Sequence, residues 1–202
     1  MHENPAARVQ RMRCRAVATK NRRITRRLRS EAVLADLLPP LPAANTAYHC
    51  ISHGDVDSLS YLAHLVKSAK FDAVLISTWC MAMPDVDLVL HWIATGQVGR
   101  ADFYGGEILP GSYPDETDKR DGAQAEGRPV SLTIARNHAK IMLAHNTEDD
   151  LYIAIESSAN VNTNPRIEQT CITRDRELWE FYREFFTGLQ SVHKNPYLEK
   201  RQ

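Results

Sequence analysis

The sequence predicts an α/β fold in which a mixed, largely parallel sheet is flanked by helices and preceded by a basic N-terminal arm. Short apolar runs alternate with amphipathic helical segments from about residue 48 onward, the pattern made when helices cross over between neighbouring parallel strands. At 202 residues the chain is long enough to bury one full core. Charge is segregated: residues 1–29 hold ten of the 25 Lys and Arg but one of the 25 Asp and Glu, about +9 in the tail against −9 in the rest.

The first segment, residues 1–45, reads as the arm and a linker. Its cations are Arg8, Arg11, Arg13, Arg15, Lys20, Arg22, Arg23, Arg26, Arg27 and Arg29, with no acid between the first and the last. Such a block stays solvated unless an anionic partner orders it. DNA or RNA is the expected partner, because every neutralised phosphate releases counterions and adds sequence-independent affinity. The plainer alternative is a solvated helix, or an arm lying on the acidic body. Leu38-Pro39-Pro40-Leu41-Pro42 closes the segment, since prolines stop helix propagation and withhold backbone donors.

Residues 46–202 form the expected domain. A short strand covers Tyr48 to Ser52, and a helix from about Asp57 to Lys70 carries Leu59, Leu62, Leu65, Val66 and Ala69 at helical spacing. Phe71 to Thr78 reads as a buried strand. Pro84 and Asp85 open a second helix with a stripe of Val86, Val89, Leu90 and Ile93, ended by Gly96. Val98 to Tyr104 is the next strand. Gly105 to Gly127, with its glycines, prolines and acids, reads as a long exposed loop, functional or a plain insertion. Strands follow at Val130 to Ala135, Ile141 to Ala144 and Leu151 to Ile155. A closing helix from about Asp175 to Gln190 bears an aromatic stripe of the kind used in core or dimer packing.

Composition excludes several classes. The longest apolar stretches fall short of the ~18 residues of a membrane span, and the Arg-rich start has no apolar signal-peptide region, so a cytoplasmic protein with no membrane partner is expected. Cys14, Cys50, Cys80 and Cys171 are scattered without CxxC spacing, which fits a reducing compartment and gives no zinc site.

The chemistry concentrates in His138-Ala139-Lys140, Glu156-Ser157-Ser158-Ala159-Asn160 and Arg166-Ile167-Glu168. His138 and Lys140 read as part of the strand that Ile141-Met142-Leu143-Ala144 continues into the core, where alternation puts them side by side on one face, a nucleophile beside a cation. These residues resemble the phospholipase D superfamily, whose motif reads HxK(x)4D, followed by GSxN and a later Glu. His138, Lys140, Ser158, Asn160 and Glu168 match; Ser157 stands at the Gly and His145 at the Asp. The likeness is strongest over residues 130–175, and small phage- or prophage-encoded members look most similar.

The resemblance implies a phospholipase D-like fold and a metal-independent phosphodiesterase or nuclease without cofactor. A neutral imidazole can attack phosphorus and form a covalent intermediate, the role it implies for His138. Glu168 would hold the other ring nitrogen and stabilise the imidazolium. Lys140 and Asn160 would donate to the phosphate oxygens as charge shifts, and Ser158 would do the same or hold its loop. The reaction uses two imidazoles, one to attack and one to protonate the leaving oxygen, yet the chain has a single HxK. Family members with one motif pair two chains, so a homodimer is expected. A second class stays open: a nucleic-acid-binding protein of the same fold that cleaves poorly because the motif Asp and Gly are replaced. Lipid hydrolysis ranks third.

Overall fold

The computed structural model describes residues 22–162 and 165–199. In chain order the elements are α1 (Arg22–Leu37), β1 (Thr46–His53), α2 (Ser58–Val66), β2 (Ala73–Thr78), α3 (Met83–Ala94), β3 (Ala101–Gly106), α4 (Leu109–Ser112), α5 (Pro114–Ala125), β4 (Val130–Ala135), β5 (Ile141–Asn146), β6 (Leu151–Ser157), β7 (Ile167–Arg174), α6 (Arg176–Thr187) and α7 (Pro196–Glu199). The seven strands make one sheet in the order β1-β7-β6-β5-β2-β3-β4.

The sheet is mixed, but it is mostly antiparallel, which corrects the expectation of a largely parallel one. Parallel pairing is confined to β2–β3 and β3–β4, whereas β1–β7, β7–β6, β6–β5 and β5–β2 are antiparallel. The cause lies in the connections. A helix separates β2 from β3, and α4 with α5 separates β3 from β4, so each strand can return in the same direction. Between β4 and β7 no helix intervenes among the described residues, and such short links cannot carry a strand back for parallel pairing.

Apolar side chains alternate onto both faces of the central strands. On one face Val74, Ile76, Phe103, Met142, Ile153, Ile155 and Ile172 pack with Leu59, Leu62 and Leu65 of α2 and Val86 and Val89 of α3. On the other, Leu75, Tyr104, Leu143, Tyr152 and Ala154 pack with Trp179 and Phe186 of α6. Asp175 caps α6 by accepting from Leu178 N at 2.8 Å, which fixes where that amphipathic helix starts.

Two further expectations change. The second half of the supposed arm is part of the domain: Leu34 is buried in the first core, and Ser30 donates to Asp55 O at 2.9 Å while accepting from Asp57 N at 3.3 Å. Arg27, assigned above to nucleic acid, pairs instead with Asp85 of α3 and donates to Ser60 Oγ at 3.4 Å. Arg29 is exposed. Arg8, Arg11, Arg13, Arg15 and Lys20, and the side chains of Arg22, Arg23 and Arg26, lie outside the described residues.

The stretch from Gly105 to Gly127 is not a loop but carries α4 and α5. Its polar composition hides the helix because α5 turns polar groups inward. Thr117, Arg120 and Asp121 are all buried, and Asp121 takes His193 at 2.7 Å. Pro114 in the first turn and Asp115 and Glu116 beside it supply ordinary helix-start chemistry. Among the described residues no helix is long and apolar enough to cross a membrane.

Candidate active site

Register places the site on one edge of the sheet. Ser77 of β2 is opposite Ile141 of β5, Ile141 opposite Glu156 of β6, Ser157 opposite Thr170 of β7, and Ile167 opposite His53 of β1. Thr78 meets Gly105, and Gly106 meets Ala135. The ends of β1, β2, β3, β4 and β6 and the starts of β5 and β7 therefore share this edge.

His138 and Lys140 are not on a strand. They belong to the segment 136–140, which leaves β4 and must pass the ends of β3 and β2 to reach β5. Three strand spacings are roughly 14 Å, within reach of five extended residues. Asn137 ties this strap down. Its Nδ2 donates to Ser77 Oγ and to Tyr104 O, each at 2.9 Å, and its Oδ1 accepts from Ala139 N at 3.0 Å. Ser77 Oγ in turn donates to Ala139 O at 3.0 Å.

The expected pairing of His138 and Lys140 holds without the strand. Lys140 Nζ lies 2.8 Å from His138 Nδ1 and donates to His138 O at 2.7 Å. Partial burial lowers the Lys140 pKa, and the nearby Cys80 and Glu168 charges partly offset that. Glu168 also accepts the Ser158 hydroxyl, and Ser158 Oγ accepts from Gln169 N at 3.0 Å. Asn160 Oδ1 accepts from Trp79 N at 3.3 Å and Thr78 Oγ1 at 3.4 Å. The Trp79 ring stands 5.5 Å from the His138 ring. Direct contacts thus join His138 to Lys140 and Ser158 to Glu168, while Trp79 meets the His138 ring with its indole and the Asn160 side chain with its backbone N–H.

Ser157, at the motif's Gly position, supports the turn. Its Oγ lies 2.9 Å from Thr170 Oγ1 and accepts from Ala159 N at 3.1 Å. Glu156 faces α6, where it takes the Tyr182 hydroxyl. Burial first, and that carboxylate second, push the Tyr182 pKa up to about 12.

Sequence reasoning missed Trp79, Asn137, Ser77 and Thr78. One signal was present: Ser77-Thr78-Trp79 ends a strand in the parallel part of the sheet, and ligands of α/β sheets gather at carboxyl ends of strands. Asn137, directly after a strand, is a turn former. Tyr113, between α4 and α5, has its pKa raised by the neighbouring Cys80 first and by burial second.

No protein-family model matches the chain, and no curated protein matches it. Among solved structures, polyphosphate kinase from Porphyromonas gingivalis aligns with a TM-score of 0.53 at 13% identity, over 74% of this chain and 27% of that one. Phosphatidylserine synthase from Haemophilus influenzae Rd KW20 aligns with a TM-score of 0.50 at 12% identity, over 72% and 38%. Both belong to the phospholipase D superfamily. The fold is phospholipase D-like. The chain spans well under half the length of either neighbour.

Proposed function

We propose that the protein is a phosphodiesterase of nucleic acid, DNA or RNA, working through a phosphohistidine at His138 in a site shared by two copies of the chain. The carrying observation is the contact of Lys140 Nζ with His138 on the sheet edge that also holds Ser158, Asn160 and Glu168. The names of both structural neighbours denote chemistry at phosphate, which supports the reaction class.

A His138 nitrogen attacks phosphorus, and the bond to the leaving oxygen breaks as a second imidazole gives that oxygen a proton. Water, deprotonated by the same second imidazole, then displaces histidine from phosphorus. Lys140 turns from the ring to a non-bridging oxygen, and Asn160 offers its amide, both stabilising charge as it shifts. Glu168 steadies the cationic partners; Ser158 holds Glu168. No step uses a metal.

The second imidazole is the reason for two copies. His64 bonds to Pro39 O at 2.8 Å, His193 pairs with Asp121, His49 sits 4.0 Å from Cys171 Sγ, and His145 stacks on Tyr152 at the far end of β5. His91 lies on α3. Among the described residues, His53 at the site end of β1 is the competing donor. A second copy also fits the exposed apolar side chains on the α6 side of the sheet, Ile51 at 82%, Ile167 at 66%, Phe181 at 65% and Phe185 at 61%. The basic residues ahead of α1 would add phosphate contacts.

The alternative reading, a binder that cleaves poorly, draws on one observation: the Glu168 carboxylate is engaged by Ser158. Cleavage of a labelled oligonucleotide in EDTA, with wild type and His138→Ala, decides between them. The expected result is cleavage by wild type and a loss of several orders of magnitude in the variant at unchanged circular dichroism. Equal rates, or complete arrest by EDTA, would refute the mechanism.

A further inference from the structure

The chain has three tryptophans, and two of them are core: Trp92 is 4% exposed and Trp179 5%. Trp79 is 37% exposed, immediately after β2 and beside His138. An exposed indole is costly in contact with water unless something covers it. The backbone that carries it is tied down. The backbone N–H of Trp79 donates to Asn160 Oδ1, while the preceding Thr78 Oγ1 donates to Cys80 O at 2.7 Å and accepts from Val161 N at 3.0 Å. Gly106 leaves the space it needs: a Cβ there would stand 2.4 Å from Trp79 Cδ1 and 2.8 Å from Trp79 O.

We infer that Trp79 is a stacking platform for the base next to the scissile phosphate, and that the substrate of this site is single-stranded nucleic acid read without sequence preference. The inference rests on the phosphodiesterase reading above and names its substrate class. A phosphate held between Lys140 and Asn160 places its neighbouring nucleoside over the ring flanking His138. Every base has a π face, so stacking tolerates any sequence. A base inside a duplex already stacks on its neighbours and is not offered to the indole, which is why the strand must be single. A lipid headgroup or an inorganic phosphate chain brings no ring, and neither gains from an exposed indole here. Because the backbone beneath the ring is held before substrate arrives, little main-chain freedom is lost on binding.

The test uses the full chain with three probes: a single-stranded oligodeoxynucleotide, the same strand with reduced abasic residues flanking the cleaved linkage, and its duplex. Trp79→Ala is expected to raise KM for the first probe about 5- to 150-fold with kcat little changed, and Trp79→Phe to recover most of that loss. For the abasic strand wild type already carries the penalty, so Trp79→Ala adds little to it. In the His138→Ala background the intact strand should quench indole emission and the abasic strand should not. Equal losses on intact and abasic strands would show that the ring shields the site rather than stacking, and preference for the duplex would overturn the inference outright. Cleavage that depends on His138 but ignores Trp79 would remove the platform and leave the phosphodiesterase. Quenching by intact strands without any cleavage would keep the platform and remove the enzyme.

Discussion

Asn137→Ala tests whether the strap across the sheet edge is what places the nucleophile. The side chain makes three hydrogen bonds, to Ser77 Oγ, Tyr104 O and Ala139 N, at 2.9, 2.9 and 3.0 Å. Each is worth about 1 kcal/mol net, but the half-buried position lets water replace part of the loss, so about 2 kcal/mol of stability should go. For a domain of this size that lowers Tm by about 4–8 °C. The effect on rate should be larger in proportion, because His138 is the next residue and a shift of about 1 Å in a reacting group can cost roughly 100-fold. Thermal melts give the first number, and kcat and KM on a single-stranded oligonucleotide give the second. The expected signature is a kcat about 100-fold lower with KM nearly constant. A lowered Tm with unchanged kcat would mean that the strap holds His138 without Asn137. No change in either would mean that these bonds add nothing over water.

Two further outcomes follow from the same geometry. Lys140 must be protonated to serve phosphate, and burial lowers its pKa, so its contribution is present at lower pH and is lost along an alkaline limb below the ordinary lysine value of about 10.4. Glu168 raises the Lys140 pKa; Glu168→Gln should therefore move that limb to still lower pH in a pH–rate profile, and an unmoved limb would separate the two residues. Mixing His138→Ala with wild-type chains should depress activity faster than the wild-type fraction falls, whereas strict proportionality after verified subunit exchange, or an active monomer in sedimentation, would exclude the shared site and turn attention to His53.

Local pattern carried much of the fold. The helix read over 57–70 is α2 at Ser58–Val66, the one opened by Pro84 is α3 at Met83–Ala94, and the aromatic stripe after Asp175 is α6 at Arg176–Thr187. In each, apolar side chains at helical spacing meet one face of the sheet, so the periodicity and the packing are the same fact. Pairing direction is another kind of fact. It depends on which strands become neighbours, and β5 inserts between β6 and β2, a choice that no single segment encodes. The helix α5 was invisible because Arg120 and Asp121, normally surface residues, turn inward. His138, Lys140, Ser158, Asn160 and Glu168 were legible by their resemblance to a motif, and the structure brings them to one edge. Asn137 and Trp79 belong to no motif; their importance lies in what a cross-sheet strap needs and in what stands exposed beside His138.

The two departures from the motif can be weighed in these terms. His145, at the motif's Asp, lies near the opposite end of β5 from His138, opposite Ala73 and Tyr152. There it packs 4.7 Å from the Trp179 ring and 6.1 Å from Tyr152, and burial lowers its pKa, with Asp72 opposing. It is a packing residue under α6, reached by the aromatic stripe rather than by the phosphate. Ser157, at the motif's Gly, adds a hydroxyl that accepts from Ala159 N and so braces the turn presenting Asn160. Neither replacement removes a group that the proposed reaction uses. Weak catalysis therefore does not follow from the replacement of the motif's Asp and Gly. The residue on which rate turns is Glu168: its carboxylate takes the Ser158 hydroxyl, so Ser158→Ala, by releasing that carboxylate toward the cationic His138 and Lys140, should raise kcat if the Ser158 bond restrains catalysis and lower it if the bond positions Glu168.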